Sequence, residues 1–250
     1  MHVDRVKKCY EFMEQNPDCD MVYTYVDIID GDTKTIPNAM TSIFNQNKTP
    51  SDMLRYFFYN GNFICAASLM IKKDVYRKIH FNPCLLQLQD FDMWVKMLLS
   101  GFKIMCLPEK LTHYRIHGNN LSLQKDRKKK IELFSRDQFE HTKVLLNFTD
   151  YIKTVEQFEE IFQKTVPHNK LISFAIAQEA LLIRRRPYYL FALDVIYNEM
   201  LDPVKKEMIY EYYKFEMKDF YTLCNNFIEK DSTFNIVCEL VRKIKKLFLH

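Results

Sequence analysis

The chain has 250 residues, of which 48% are hydrophobic, enough for a sizeable core, and its net charge is only +4. Its four glycines exclude a glycine-rich phosphate loop, no segment approaches the ~18 apolar residues of a membrane span, and the N-terminus lacks the apolar run of a secretory signal. Seven cysteines with irregular spacing indicate reduced thiols, as in a cytoplasmic protein.

The first 60 residues combine helical and extended patterns. Apolar residues at helical spacing predict an opening amphipathic helix: Val3, Val6, Tyr10 and Met13. The β-branched and aromatic run MVYTYVDII, residues 21–29, predicts a strand that ends in a turn at 30–32. After a polar loop, Ser51 is the predicted cap of a short helix that ends at the turn 60–61.

The next part of the chain continues this mixture. NFICAASLMI, residues 62–71, predicts a buried strand, and a short helix follows it. The helix after that carries apolar residues at positions i, i+3, i+4 and i+7, and we expect it to begin near Asp90 and to end near Gly101. Two short strands are predicted to follow: KIMCLP and LTHYRIH.

Beyond Ser122 the pattern is helical to the end of the sequence, with Asp202 and Asp231 as predicted N-caps. No fixed-period repeat is visible, so a helical solenoid is not predicted. The sequence therefore predicts an α/β domain over residues 1–122, with a mixed sheet and flanking helices, followed by an all-α domain over residues 123–250.

Two features carry polar side chains that a core does not need. Asp90 and Asp92 stand at the entrance of an otherwise apolar helix, where they either cap the helix and complement its dipole or serve a substrate. In LTHYRIH, strand alternation places His113, Arg115 and His117 on one face. This face is either a solvated edge whose basic residues discourage aggregation, or a site for an anionic, metal-bound substrate.

Three segments within residues 1–122 share their order and spacing with one enzyme family. They are DRVKKCYEFMEQNPDCDMVYTYVDIIDGD, GNFICAASLMIKKDVYRKIHFNP and LQLQDFDMWVKMLLSGFKIMCLPEKLTHYRIHGNNLS. The last joins an acid pair and a Trp on a helix to a strand, then to Tyr-Arg-x-His and Asn-x-Ser. In these features the chain resembles the acceptor-side half of family 2 glycosyltransferases, which have the GT-A fold.

The resemblance implies an inverting transfer of a sugar from a nucleotide-sugar donor to a cell-surface glycan or a lipid-linked acceptor. In the family, the aspartate of a Glu-Asp or Gln-Asp pair deprotonates the acceptor hydroxyl, and this pair corresponds to Gln89 and Asp90. The family's C-terminal histidine corresponds to His117 and helps to hold a divalent metal, Mn²⁺ or Mg²⁺, that neutralises the departing diphosphate. Arg115 is then expected to bind phosphate oxygens.

Four further residues belong to the substrate pocket by the same resemblance. Gly61 and Asn62 lie in the glycine-containing loop beside the acceptor. Asp92 and Trp94 are expected to line the pocket wall or to pack in the core. Of the two neighbouring acids, one is thus expected to serve the chemistry and the other to support the helix.

One part of the family pattern has no counterpart in the sequence. Family members begin with a nucleotide-binding half of roughly 90 residues, built from βαβ units, which ends in an Asp-x-Asp motif that binds the metal. The three Asp-x-Asp strings of this chain, at 18–20, 30–32 and 90–92, do not stand where that motif belongs. We therefore expect a fragment, an alternative-start product or half of a split enzyme, with a separate donor-binding half as its partner.

The second hypothesis is a non-catalytic, helical interaction protein derived from a glycosyltransferase fragment. Nucleic-acid binding is not expected, because the basic residues are scattered and no recognition module appears. The closing segment LVRKIKKLFLH is either an ordinary surface helix, which we favour, or a helix that lies on an anionic membrane. The expected location is therefore the cytoplasm, with contact to the inner face of the membrane as the alternative for this segment.

Overall fold

The computed structural model describes residues 1–117 and 127–226, and for 127–130 the backbone alone. The chain divides into two compact units, Met1–Thr165 and Val166–His250. The predicted domain boundary near residue 122 lies outside the described residues. The predicted order of an α/β region followed by a helical region is confirmed, because the described strands all precede a long series of helices.

The first unit contains a three-stranded mixed sheet among the described residues. Its strands are β1, Met21–Ile29; β2, Leu69–Ile71; and β3, Ile104–Arg115. The order is β2-β1-β3, with β1 antiparallel to β2 and parallel to β3. Nearly all of β1 is buried, which explains why its sequence is an almost unbroken run of β-branched and aromatic residues.

The strand predicted over residues 62–71 is much shorter than expected. Only its last three residues form β2, and Ala66–Ser68 form one turn of 3-10 helix. The Ser68 backbone N–H and hydroxyl both donate to the Cys65 carbonyl, at 2.8 and 2.7 Å. This local bonding replaces the strand ladder that the apolar run suggested.

The two short strands predicted near the end of this region are one strand, β3. Its register against β1 shifts beside Tyr25, where the partner residue changes from Leu107 to Lys110. The shift passes over Pro108, which has no N–H to donate to a ladder. A strand that looked interrupted in the sequence therefore continues through a bulge.

Helices cover the sheet of the first unit. Those described are α1, Arg5–Gln15; α2, Met40–Phe44; α3, Pro50–Asn60; α4, Lys73–Lys78; α5, Gln89–Leu99; α6, Arg127–Tyr151; and α7, Val155–Phe162. The helix α3 begins before the predicted cap Ser51, because the Thr49 hydroxyl accepts the N–H of Asp52 and Pro50 occupies the first helical position.

The opening helix α1 is confirmed, but its predicted stripe is not its buried face. Three residues of that stripe are exposed: Val3 at 91%, Val6 at 54% and Tyr10 at 58%. The helix instead buries Cys9, which belongs to a cluster with Val22 of β1. The apolar spacing identified the helix correctly and its orientation wrongly.

The helix α5 agrees with the prediction in both extent and buried face. Four residues of the predicted stripe are buried: Phe91, Trp94, Val95 and Leu98. Gly101 follows the helix at a φ of +84°, a left-handed conformation that glycine adopts without a steric penalty. The helix therefore ends where the glycine predicted.

The second unit is helical in its described part. Its helices are α8, Ile172–Ile183; α9, Arg186–Leu201; and α10, Pro203–Tyr213, with further helix at 217–226. The predicted N-cap Asp202 is confirmed, since its carboxylate accepts two backbone N–H groups of the first turn of α10. The predicted cap at Asp231 and the closing segment at 240–250 lie outside the described residues. Among described helices, none has the length and apolarity to cross a membrane.

Candidate functional site

Asp90 lies in the first turn of α5 but does not cap it. The N-cap is Leu88, so Asp90 occupies the second helical position. Its Oδ1 accepts the N–H of Phe91 at 2.7 Å, and the side chain is half-buried. Burial raises the pKa of Asp90, and hydrogen bonds from backbone N–H groups oppose part of that rise. The carboxylate is therefore more basic than an ordinary one.

Asp92 has different surroundings, although it is only two residues away. Its side chain is 3% exposed, and Lys96 Nζ lies 2.6 Å from its Oδ2. Its Oδ1 accepts a hydrogen bond of 2.7 Å from Asn147 Nδ2 of α6. Both oxygens are thus engaged, Oδ2 within α5 and Oδ1 in joining α5 to α6, which is a supporting role for the helix.

Trp94 lies in the buried face of α5 and is 1% exposed. Its indole N–H has no acceptor within the described part of the chain. Of the two places predicted for Trp94, the core is the one that it occupies in this structure.

The turn at Gly61 lies beside the first turn of α5. Gly61 has a φ of +93°, which side chains other than glycine rarely adopt. A Cβ built on Gly61 would lie 3.8 Å from Cε1 of His141 on α6. The His141 ring in turn lies 5.8 Å from the ring of Phe91, the residue after Asp90. The structure therefore brings Gly61 and Asp90 into one region, and Asn62 shapes the loop by accepting the N–H of Ile64.

The turn at 65–68 also borders Asp90. Cys65 is buried; burial raises the pKa of its thiol, and the nearby Asp90 carboxylate adds to that rise. Ala66 and Ala67 are exposed, and Arg5 of α1 donates to the Ala67 carbonyl. Exposed alanines leave the backbone beside Asp90 accessible to a ligand.

Two glutamines that precede Asp90 by three residues and by one have unused hydrogen-bonding capacity. The Oε1 atoms of Gln87 and Gln89 are both buried and accept no hydrogen bond from any described group. Buried acceptors in folded proteins nearly always have a donor. These two amide oxygens thus have unused accepting capacity, although both are shielded from solvent in this conformation.

The alternation predicted for LTHYRIH is confirmed by the exposure of its residues. His113, Arg115 and His117 are exposed. Tyr114 and Ile116 pack against a buried cluster that includes Cys65. The end of β3 and the turn beside Asp90 are therefore connected through one apolar cluster. That Asp90, Arg115 and His117 share one cleft, as their roles in the family resemblance require, stays a prediction.

Arg115 is bonded to the turn that follows β1. Its Nη1 donates to the carbonyls of Asp30 and Gly31 at 2.7 and 2.8 Å, and its Nη2 donates to Thr33 Oγ1 at 3.2 Å. The Asp30 carboxylate accepts two backbone N–H groups of the same turn, as expected of a hairpin signal. The guanidinium predicted to bind phosphate thus stabilises this turn in the structure.

The described residues do not by themselves form a metal centre. Within residues 1–117 and 127–226, no three His, Cys, Asp or Glu side chains lie close enough together to hold an ion. The predicted ligand His117 is exposed after the end of β3. The Asn-x-Ser motif that follows it lies outside the described residues.

A cavity of about 570 Å³ lies on another part of the first unit. It is formed by the loop before α3 and by α3 itself, with these residues among its lining: Asn47, Lys48, Asp52, Arg55, Tyr56 and Asn60. The Arg55 guanidinium in this lining already donates to the Ile161 carbonyl at 2.8 Å. The Lys48 ammonium lies 4.6 Å from the centre of the Tyr56 ring. None of the predicted site residues lines this cavity, so we place the candidate site at Asp90.

Sequence reasoning missed the part of the site that α6 supplies. Glu140, His141 and Asn147 contact the first turn of α5 or the loop before it, although this helix was assigned to a separate domain. Glu140 and Asn147 are buried polar residues spaced seven apart, which places them on one face of α6. Polar residues on the apolar face of an amphipathic helix were the available signal.

Comparison with known proteins gives one partial match and no family. No protein-family model matches the chain. The chain is similar to an uncharacterized glycosyltransferase of Methanocaldococcus jannaschii, with 24% identity over 127 residues. The aligned part is 51% of this chain and 42% of that protein, so the chain spans less than half of the relative's length.

Proposed function

We propose that the first unit is the acceptor-side part of an inverting glycosyltransferase related to family 2, in which Asp90 is the catalytic base. The observation that carries the proposal is the environment of Asp90: a half-buried carboxylate with a raised pKa, beside the Gly61 turn and two unpaired glutamine oxygens. The similarity to a protein named as a glycosyltransferase supports the reaction class.

In the proposed reaction, a hydroxyl group of the acceptor donates a hydrogen bond to the Asp90 carboxylate. Asp90 takes the proton as the hydroxyl oxygen attacks the anomeric carbon of the donor sugar, and the bond from that carbon to the diphosphate breaks with its electron pair on the phosphate. A raised pKa makes Asp90 a stronger base for this step. By the family resemblance, Gln89 and the loop at Gly61 would orient the acceptor.

A divalent cation with His117 as one ligand, and a nucleotide-sugar donor, remain predictions of the family resemblance. The described residues do not complete a ligand set around His117, so we derive no step through the metal. The acceptor class, a cell-surface glycan or a lipid-linked sugar, also rests on the resemblance.

The second candidate is a non-catalytic interaction protein, and one observation favours it. Val6 and Tyr10 of α1, and Val3 just before this helix, are exposed. On this hypothesis the three side chains form part of one contact surface for another polypeptide. On this hypothesis Asp90 has no chemical role.

The proposed function can be tested by comparing the glycans of cells that lack this chain with those of cells that produce it. Mass spectrometry of surface polysaccharides and lipid-linked sugars should then reveal a glycan shortened by one sugar, together with its accumulated precursor. An unchanged glycan profile in such cells, under conditions where the chain is normally produced, would contradict the proposal.

A further inference from the structure

Glu140 of α6 binds the segment that leads into α5. Glu140 as a whole residue is only 2% exposed. Its carboxylate accepts hydrogen bonds from three consecutive backbone N–H groups. Oε1 accepts from Leu86 at 2.9 Å, and Oε2 accepts from Gln87 and Leu88 at 2.8 Å each. Hydrogen bonds to an ionised acceptor are the strong ones, so this loop is held firmly from behind.

The three N–H groups lie immediately before the proposed catalytic residue. Leu88 is the N-cap of α5, and Asp90 follows two residues later. Two more contacts from α6 flank the same turn, one from His141 to the ring of Phe91 and one from Asn147 to Asp92. The first turn of α5 is therefore fixed on one side by side chains that come from 50 or more residues further along the chain.

We infer that Glu140 is a positioning residue: by holding the N–H groups of Leu86, Gln87 and Leu88, it fixes the Asp90 carboxylate in the orientation that the reaction needs. The catalytic consequence of this positioning rests on the proposed function, whereas the positioning itself is a property of the fold. A displacement of about 1 Å at a reacting group is enough to cost roughly a hundredfold in rate, so a residue that prevents it matters without touching substrate.

Glu140→Gln is the most direct perturbation. The glutamine keeps the size of the side chain but offers one acceptor oxygen and one N–H₂ group, and the latter faces backbone donors. At least one of the three N–H groups then loses its acceptor. Glu132→Gln is the matched control, because Glu132 is an exposed residue of the same helix.

Two measurements on the purified chain test the inference without any substrate. Hydrogen exchange should be about tenfold faster at Leu86–Leu88 in Glu140→Gln, since one charge-assisted hydrogen bond is worth at least that factor. Carbon-13 NMR titration should place the pKa of Asp90 closer to its ordinary value in this variant, because a loosened turn lets water reach the carboxylate. Glu132→Gln should match the wild type in both measurements.

A role limited to helix stability predicts a different result. In that case Glu140→Gln lowers the thermal stability while the pKa of Asp90 in the folded protein stays as in the wild type, and this outcome overturns the inference. If the variant does not fold, hydrogen exchange in the wild-type protein decides the question. Fast exchange at the amides of Leu86–Leu88 would mean that Glu140 does not hold these N–H groups, and this result also overturns the inference.

The transfer reaction separates this inference from the proposed function. Once donor and acceptor are identified, Glu140→Gln should lower kcat at least tenfold with little change in KM, because binding groups stay in place. If Asp90→Asn retains transfer while Glu140→Gln still shifts the pKa of Asp90, the proposed function fails and the positioning stands. If Asp90→Asn abolishes transfer and Glu140→Gln leaves kcat unchanged, the positioning fails alone.

Discussion

Replacing Asp92 by Asn should destabilise the first unit by about 2 kcal/mol. The amide oxygen still accepts the hydrogen bond from Asn147, but the new N–H₂ group faces the Lys96 ammonium, which lies 2.6 Å from Oδ2 in the wild type. A hydrogen bond to a charged group contributes about 1.5–3 kcal/mol. The Lys96 side chain is 21% exposed and can turn towards water, so the loss falls in the lower part of that range.

Urea denaturation monitored by tryptophan fluorescence measures this loss. Trp94 is the chain's only tryptophan and is 1% exposed, two residues from Asp92, so its emission reports the unfolding of the first unit. With a slope of about 2 kcal/mol per molar urea, the midpoint should fall by about 1 M. The control Asp74→Asn removes an ion pair whose side chains are 75% and 68% exposed, and should cost less than ~0.5 kcal/mol. Equal midpoints for Asp92→Asn and the wild type would refute the supporting role of Asp92.

Three further predictions follow from the same structure. Because burial raises the folded-state pKa of Asp90, this carboxyl contributes stability that is fully present below its unfolded pKa of about 3.9 and is lost as the pH rises through the folded pKa. Asp90→Asn should therefore gain stability relative to the wild type as the pH rises through that window, and a constant difference in urea midpoints would be the contrary result. Burial raises the thiol pKa of Cys19 and of Cys106 to about 11, so a thiol reagent near pH 8 should modify exposed Cys84 well before either; equal rates would contradict the buried placement. Calorimetry of the purified chain with Mn²⁺ and UDP or GDP sugars should give weak binding or none, because the described residues form no three-ligand metal site; metal-dependent micromolar affinity would disprove this.

Local patterns in the sequence were sufficient for several elements. The helix α5 was predictable because its apolar spacing is regular and Gly101 marks its end. The alternation in LTHYRIH gave the exposed face of β3 because one residue in two must face the core. The N-cap Asp202 was predictable because it stands directly before a proline at the first helical position. Its short carboxylate side chain there reaches the free backbone N–H groups of the first turn.

Other features depend on partners that are distant in the sequence. The helix α1 has two apolar faces, and only packing on β1 decides that Cys9 is buried while Val6 is exposed. The continuation of β3 past Pro108 depends on a register shift against β1, which a single strand does not reveal. The contact between Glu140 and the loop before α5 spans more than 50 residues, so no motif near Asp90 indicated it.

The catalytic role of Asp90 is tested most directly by complementation of cells that lack this chain. Wild-type protein, Asp90→Asn and the surface control Asp74→Asn are produced at matched levels, and the surface glycans are compared by mass spectrometry. We expect the wild type and Asp74→Asn to restore the missing sugar, and Asp90→Asn to restore none, because an amide cannot accept the proton of the acceptor hydroxyl. Full restoration by Asp90→Asn would contradict the claim and would favour the non-catalytic interaction protein.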